Sequence, residues 1–150
     1  MRKLFLIVIS VIFFCNISSA VTYNSDPKIF ITELVGDAIK ILSDKSISKE
    51  DKAKAIEKIA LENVDIKALG MYTLGDARKN QDQSILEEYD RLFEKYFLKS
   101  LTSRLTDYTS NKFEVLDAEQ KSAKYTIVQS KIIASNDKPE IKIDWRIYTK

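Results

Sequence analysis

The chain has 150 residues, with 24 Lys and Arg against 22 Asp and Glu, no histidine and one cysteine. The missing histidine removes the commonest general base and the commonest metal ligand. The near-balanced charge lacks the basic excess that nucleic-acid phosphates call for. Three glycines, Gly36, Gly70 and Gly75, are too few and too scattered for a phosphate-cradling loop.

Arg2 and Lys3 precede an apolar run from Leu4 to Cys15. Ser18 and Ala20 place small residues at −3 and −1 of a cleavage point before Val21. This predicts a signal peptide over residues 1–20, cleaved after Ala20, and export across the inner membrane. A membrane anchor is the competing reading, but a span needs about 20 apolar residues, and polar Asn16 and Ser18 come too soon. Cys15 follows Phe14 rather than a small residue, which argues against lipidation. It leaves with the signal, so no disulfide holds the exported chain. The first twenty residues carry two of the basic residues and none of the acidic ones, leaving 22 of each sign. Residues 21–150 are enough for a single domain, and their balance argues against tight docking on an anionic membrane.

Asp26-Pro27 predicts the start of a first helix, with Asp as N-cap and Pro at the first helical position. Its apolar side is Phe30, Ile31, Leu34, Val35, Ala38, Ile41 and Leu42, and it ends near Ser43. Ser48 to Asp51 resembles a capping box and opens a second helix to about Val64, with Ala53, Ile56, Ile59, Ala60 and Val64 facing inward. Asp65 caps a short third helix that stops at Gly75. A polar loop, 76–82, follows. Ser84, with Glu87 three residues on, is a further capping signature. The stretch that organises the rest is Gln83 to Tyr108. Its apolar residues recur in steps of three and four, at Leu86, Tyr89, Leu92, Phe93, Tyr96, Phe97, Leu101, Leu105 and Tyr108. That face serves either as core or as the wall of an apolar cavity, and the helix alone does not decide.

From Lys112 the period changes to two. Lys112 to Asp117, Ala123 to Ile133 and Glu140 to Tyr148 predict three strands, with a turn over 135–139. In the third strand Ile141, Ile143, Trp145 and Ile147 share one face, and Lys142, Asp144, Arg146 and Tyr148 share the other. The fold class is α+β: N-terminal helices, including one long amphipathic helix, packed on a twisted antiparallel sheet. The third strand patterns like an interior one, so at least one more strand is expected after residue 150.

No catalytic constellation is visible. The carboxylates, Glu50, Asp51, Glu87 and Glu88 among them, sit at caps or on solvated helix faces. Asp144 lies on the face opposite Trp145. No metal site and no cofactor are expected. What remains is apolar shape, Tyr72, Tyr89, Phe93, Tyr96, Phe97, Tyr125 and Trp145 against helices rich in Ile and Leu. Such walls suit an apolar ligand, with a filled core as the alternative.

The order of parts is itself a signature. A signal peptide leads to a helix opening at Asp26-Pro27, a helix ending Val64-Asp65 and a short one ending Leu74-Gly75. Then come a polar loop, the long Tyr89…Phe93…Tyr96…Leu101 helix, and two strands leading into Ile143-Asp144-Trp145-Arg146-Ile147. This arrangement resembles the MlaC, or toluene-tolerance, family over nearly all of residues 26–150. The resemblance implies a periplasmic phospholipid carrier, not an enzyme, serving an ABC-type lipid transport system that maintains outer-membrane lipid asymmetry. It implies an apolar cavity for acyl chains with the head group outside. The implied partners are phospholipid, an outer-membrane lipoprotein complex and an inner-membrane ABC transporter complex.

The candidate lipid-binding residues on the first three helices are then Phe30, Leu34, Ile41, Ile56, Leu69 and Tyr72. On the long helix they are Tyr89, Phe93, Tyr96, Phe97 and Leu101, and on the sheet Tyr125, Ile127, Ile143 and Trp145. Two departures stand out. The family's tryptophan after the Leu-Gly pair is replaced by Asp76-Ala77-Arg78-Lys79. The family's last strand and final helix are also missing, so the sequence predicts a C-terminally truncated, less stable member with weaker lipid binding. Two other readings are weighed against it. An enzyme using a buried Asp and Tyr would need a carboxylate on the apolar face, and Tyr125, Ile127, Ile143 and Trp145 offer none nearby. The alternative to a carrier is a secreted interaction module whose exposed last strand pairs with a partner, or a non-functional fragment of such a carrier.

Overall fold

The computed structural model describes residues 23–106, 112–134 and 139–149. The expected signal segment with Cys15, the end of the long helix at 107–111 and most of the 135–139 turn lie outside them. Four α-helices precede a three-stranded antiparallel sheet: α1 (Pro27–Ser43), α2 (Lys49–Asn63), α3 (Ile66–Leu74), α4 (Gln83–Thr106), β1 (Phe113–Ser122), β2 (Tyr125–Ile132) and β3 (Ile141–Tyr148). The protein is an α+β fold with strand order β1-β2-β3.

Local chemistry sets the helix starts. Asp26 Oδ1 accepts from the backbone N–H of Lys28 at 2.9 Å and of Ile29 at 3.0 Å, with Pro27 behind it. Ser48 Oγ accepts from the Asp51 N–H at 3.1 Å and donates to Asp51 Oδ2 at 2.7 Å. Asp65 Oδ1 accepts from the Ala68 N–H at 2.9 Å. The end of α3 uses Gly75 at φ 56°, where a side chain would be strained. Lys52 Nζ donates to the Leu42 carbonyl at 2.8 Å, satisfying an orphan acceptor at the end of α1 from α2.

Three details differ from the sequence expectation. The segment after α3 begins with a 3-10 turn, Gly75–Arg78, rather than loop. Ser84 does not cap α4. The helix starts one residue earlier, and the Asp82 carbonyl accepts from the N–H groups of Ile85 and Leu86 at 3.0 and 3.1 Å. β1 runs on to Ser122, and Ala123-Lys124 are the hairpin turn rather than the start of β2. Register shifts at Val115/Asp117 and Gln120/Ser122 break the alternation on which a strand boundary is read.

Two cores result. Ile31 and Leu34 of α1 pack on Val128 at the centre of the sheet, with Trp145, Ile147 and Val115 around them. Ala60 of α2, Ile66 of α3 and Leu98 of α4 form the second, with Phe93, Phe97 and Leu101 around them. α4 packs mainly on α2 and α3, while α1 is the helix that lies on the strands. Gly70 permits the α3–α4 approach: a Cβ there would meet Phe93 Cδ1 at 2.9 Å. Tyr89 fastens the same seam, donating to the Gly70 carbonyl at 3.2 Å.

Candidate functional site

Between the two cores lies a cleft of about 180 Å³. α1 contributes Leu34, Val35, Ala38, Ile39 and Leu42; α2 contributes Ile56, Ile59 and Ala60, with Val64 just beyond it. α4 contributes Phe97, Leu101 and Leu105, and the sheet closes the floor with Phe113, Ile132, Ile143 and Trp145. Every one of these residues is apolar. The helical ones repeat at three- and four-residue steps, so each helix turns one continuous stripe toward the cleft.

The floor is tied within its own face of the sheet. Ser130 is 1% exposed, and its Oγ accepts a hydrogen bond of 2.7 Å from Trp145 Nε1. The indole therefore spends its polar atom on the sheet and offers hydrocarbon to the cleft. With no ionisable or hydroxyl group in the wall, the arrangement offers no proton transfer or nucleophile. It can shelter hydrocarbon from water.

The structure brings six of the candidate lipid-binding residues together on this wall: Leu34, Ile56, Phe97, Leu101, Ile143 and Trp145. The others stand elsewhere. Phe30 belongs to the α1–sheet core and meets Tyr23 edge-on, ring centroids 5.6 Å apart. Ile41 and Leu69 are half-buried away from the lining. Tyr89 and Phe93 are taken up by the α3–α4 seam, and Tyr72 and Tyr96 are exposed. Tyr125 and Ile127 require a correction. Grouping them with Ile143 and Trp145 puts them on the wrong side of the sheet. Val128 pairs with Trp145 and Ile127 with Arg146, so alternation turns Tyr125 and Ile127 to the outer face.

Val35, Ala38, Ile39, Leu42, Ile59, Ala60, Val64, Leu105, Phe113 and Ile132 complete the wall. Most of them were visible as the apolar sides of the first two helices. Those on the first two helices are aliphatic, and periodicity alone does not separate the wall of a cleft from filled core. Among the described residues no group of acidic or cysteine side chains is placed to hold a metal ion, and no helix is long and apolar enough to cross a membrane. No curated protein and no solved structure matches the chain. A family model does, over residues 32–150, and its description is MlaC protein.

Proposed function

The chain belongs to the MlaC family, and from that premise we propose that it carries phospholipid across the periplasm with the acyl chains in the α1–α2–α4 cleft. Membership makes it a periplasmic protein of phospholipid transport. The proposed carrier is one domain over 21–150, released by cleavage after Ala20, taking lipid between an outer-membrane lipoprotein complex and an inner-membrane ABC transporter, without chemistry. Leu34, Ile56, Phe97, Leu101, Ile143 and Trp145 are its proposed tail-contacting residues.

The single observation that carries this reading is the wholly apolar lining, open between two packed cores. Hiding hydrocarbon is worth about 0.8 kcal/mol per methylene, so two tails of roughly 30 methylenes demand on the order of 20 kcal/mol of shelter. A cleft of about 180 Å³ is smaller than the roughly 300–1,000 Å³ of sites that enclose whole ligands. Holding both tails therefore requires α1 and α4 to part, and the seam between the cores is where they can.

Native mass spectrometry after mild purification tests the proposal. A bound mass of phospholipid size, lost in an Ala38→Trp variant that fills the cleft and melts no lower than the parent, supports it. Lipid-free parent protein, or lipid retained in full by Ala38→Trp, overturns it.

A further inference from the structure

On the outer face of the sheet, opposite Trp145, four side chains converge. Arg146 Nη1 donates to the Tyr125 hydroxyl at 2.8 Å, and Nη2 donates to the Tyr72 hydroxyl at 3.4 Å. The guanidinium carbon lies 5.0 Å from the Tyr72 ring centroid. The rings of Tyr125 and Tyr148 stack 4.7 Å apart. Tyr72 and Tyr148 are 62% and 69% exposed. Residues from α3, β2 and β3 are thus ordered around a half-buried Tyr125, and the exposed Tyr72 and Tyr148 lose side-chain entropy there while burying little.

The donors left over point to a ligand. Lys131 of the same face pairs with Glu114 and Glu140, whereas Arg146 makes no ion pair among the described residues. Asp144, two positions along the same face, is not joined to it. A guanidinium has five N–H donors. Two reach tyrosine oxygens, and three remain. Each of those oxygens accepts from Arg146 and keeps its own O–H to give. The Tyr72 ring under the guanidinium and the Tyr148 ring against Tyr125 fix these donors in place.

We infer that Arg146, Tyr72 and Tyr125 form an oxyanion site for a phosphate group, either in the head group of a phospholipid at a bilayer surface or as free phosphate. A tetrahedral phosphate meets donors arriving from several directions, and arginine is suited to it. Exposed tyrosines beside it favour the head-group layer, where amphipathic rings collect. The site lies on the other face from the cleft and does not depend on tails being bound there.

Amide NMR titration at fixed ionic strength tests it, using inorganic phosphate and, separately, dihexanoyl phosphatidylglycerol below its micelle concentration. The proteins are the parent, Arg146→Gln and Tyr125→Phe. The expected result is saturable shifts at Tyr72, Tyr125, Arg146 and Tyr148, weakened about tenfold or more in Arg146→Gln and several-fold in Tyr125→Phe. The second variant keeps the stacked ring, so it decides the matter if the first fails to fold. Shifts with both probes mean a site open to either source, and shifts with the short lipid alone assign the head group. No saturable shift, equal affinity in the folded variants, or shifts confined to the cleft around Trp145 would overturn the inference.

Discussion

The α1–sheet core and the seam between the two cores are built from the same residue types and behave differently. In the core, Ile31 and Val128 are 0% exposed and meet face to face. Two to three turns further along the same helix, Ile39 and Leu42 line the cleft together with Leu101 and Leu105 of α4. Burial on α1 is thus set by what stands opposite rather than by its own stripe. The sheet fills the space over Ile31, whereas α4, held by α2 and α3, leaves the space beside Ile39 open.

Ile31→Ala should break this contrast most visibly. It leaves a cavity in a filled site and should lower stability by about 2–5 kcal/mol in denaturant melts. Gly70→Ala probes the second core. The added methyl meets Phe93 in its own seam, and an overpacking loss of about 1–3 kcal/mol is expected, with α3 exchanging its amide hydrogens earlier than α1. Ser130→Ala should lose a similar amount by stranding the Trp145 N–H. It should also shift the tryptophan emission, which Ile31→Ala should move less.

Ile39→Ala is the sharpest comparison, because it makes the same kind of truncation as Ile31→Ala on the same helix. It should lose only about 1 kcal/mol, since the void already exists. A loss equal to that of Ile31→Ala would mean that the cleft is ordinary core. The smallest effect belongs to Glu88, on the exposed side of α4. Its hydrogen bond to Arg91 holds its carboxyl below the ordinary value of 4.5. A lowered acid pKa contributes stability that is present above the ordinary value and is lost as pH falls through the folded one. Glu88→Gln should therefore melt slightly lower than the parent near neutral pH, with the difference shrinking and then vanishing as the solution is acidified below the ordinary carboxylate range.

Much of the site was legible in the residues. Of the residues that the three- and four-residue steps of α1 and α2 turn inward, Leu34, Val35, Ala38, Leu42, Ile56, Ile59, Ala60 and Val64 line the cleft, whereas Phe30, Ile31, Ile41 and Ala53 do not, and Ile39 lines it from outside the expected side. The aromatic residues of α4 were harder to sort. Tyr89, Phe93 and Phe97 share a stripe, yet Gly70 lets α3 come close enough to occupy the first two, and only Phe97 reaches the cleft. A glycine's partner lies on another helix, so its own stretch of chain does not identify it.

The sequence by itself determined the caps at Asp26, Ser48 and Asp65, the glycine stop at Gly75, the change from helical to strand period and the α+β class. These rest on hydrogen bonds and side-chain spacings within a few residues. Only the tertiary structure decided that β1 bulges and runs on to Ser122, that Tyr125 turns outward to Arg146, and that α1 and α4 stand apart. Pairing register and empty space are relations between distant surfaces, and each surface taken alone carries the same apolar pattern whether or not its partner closes on it.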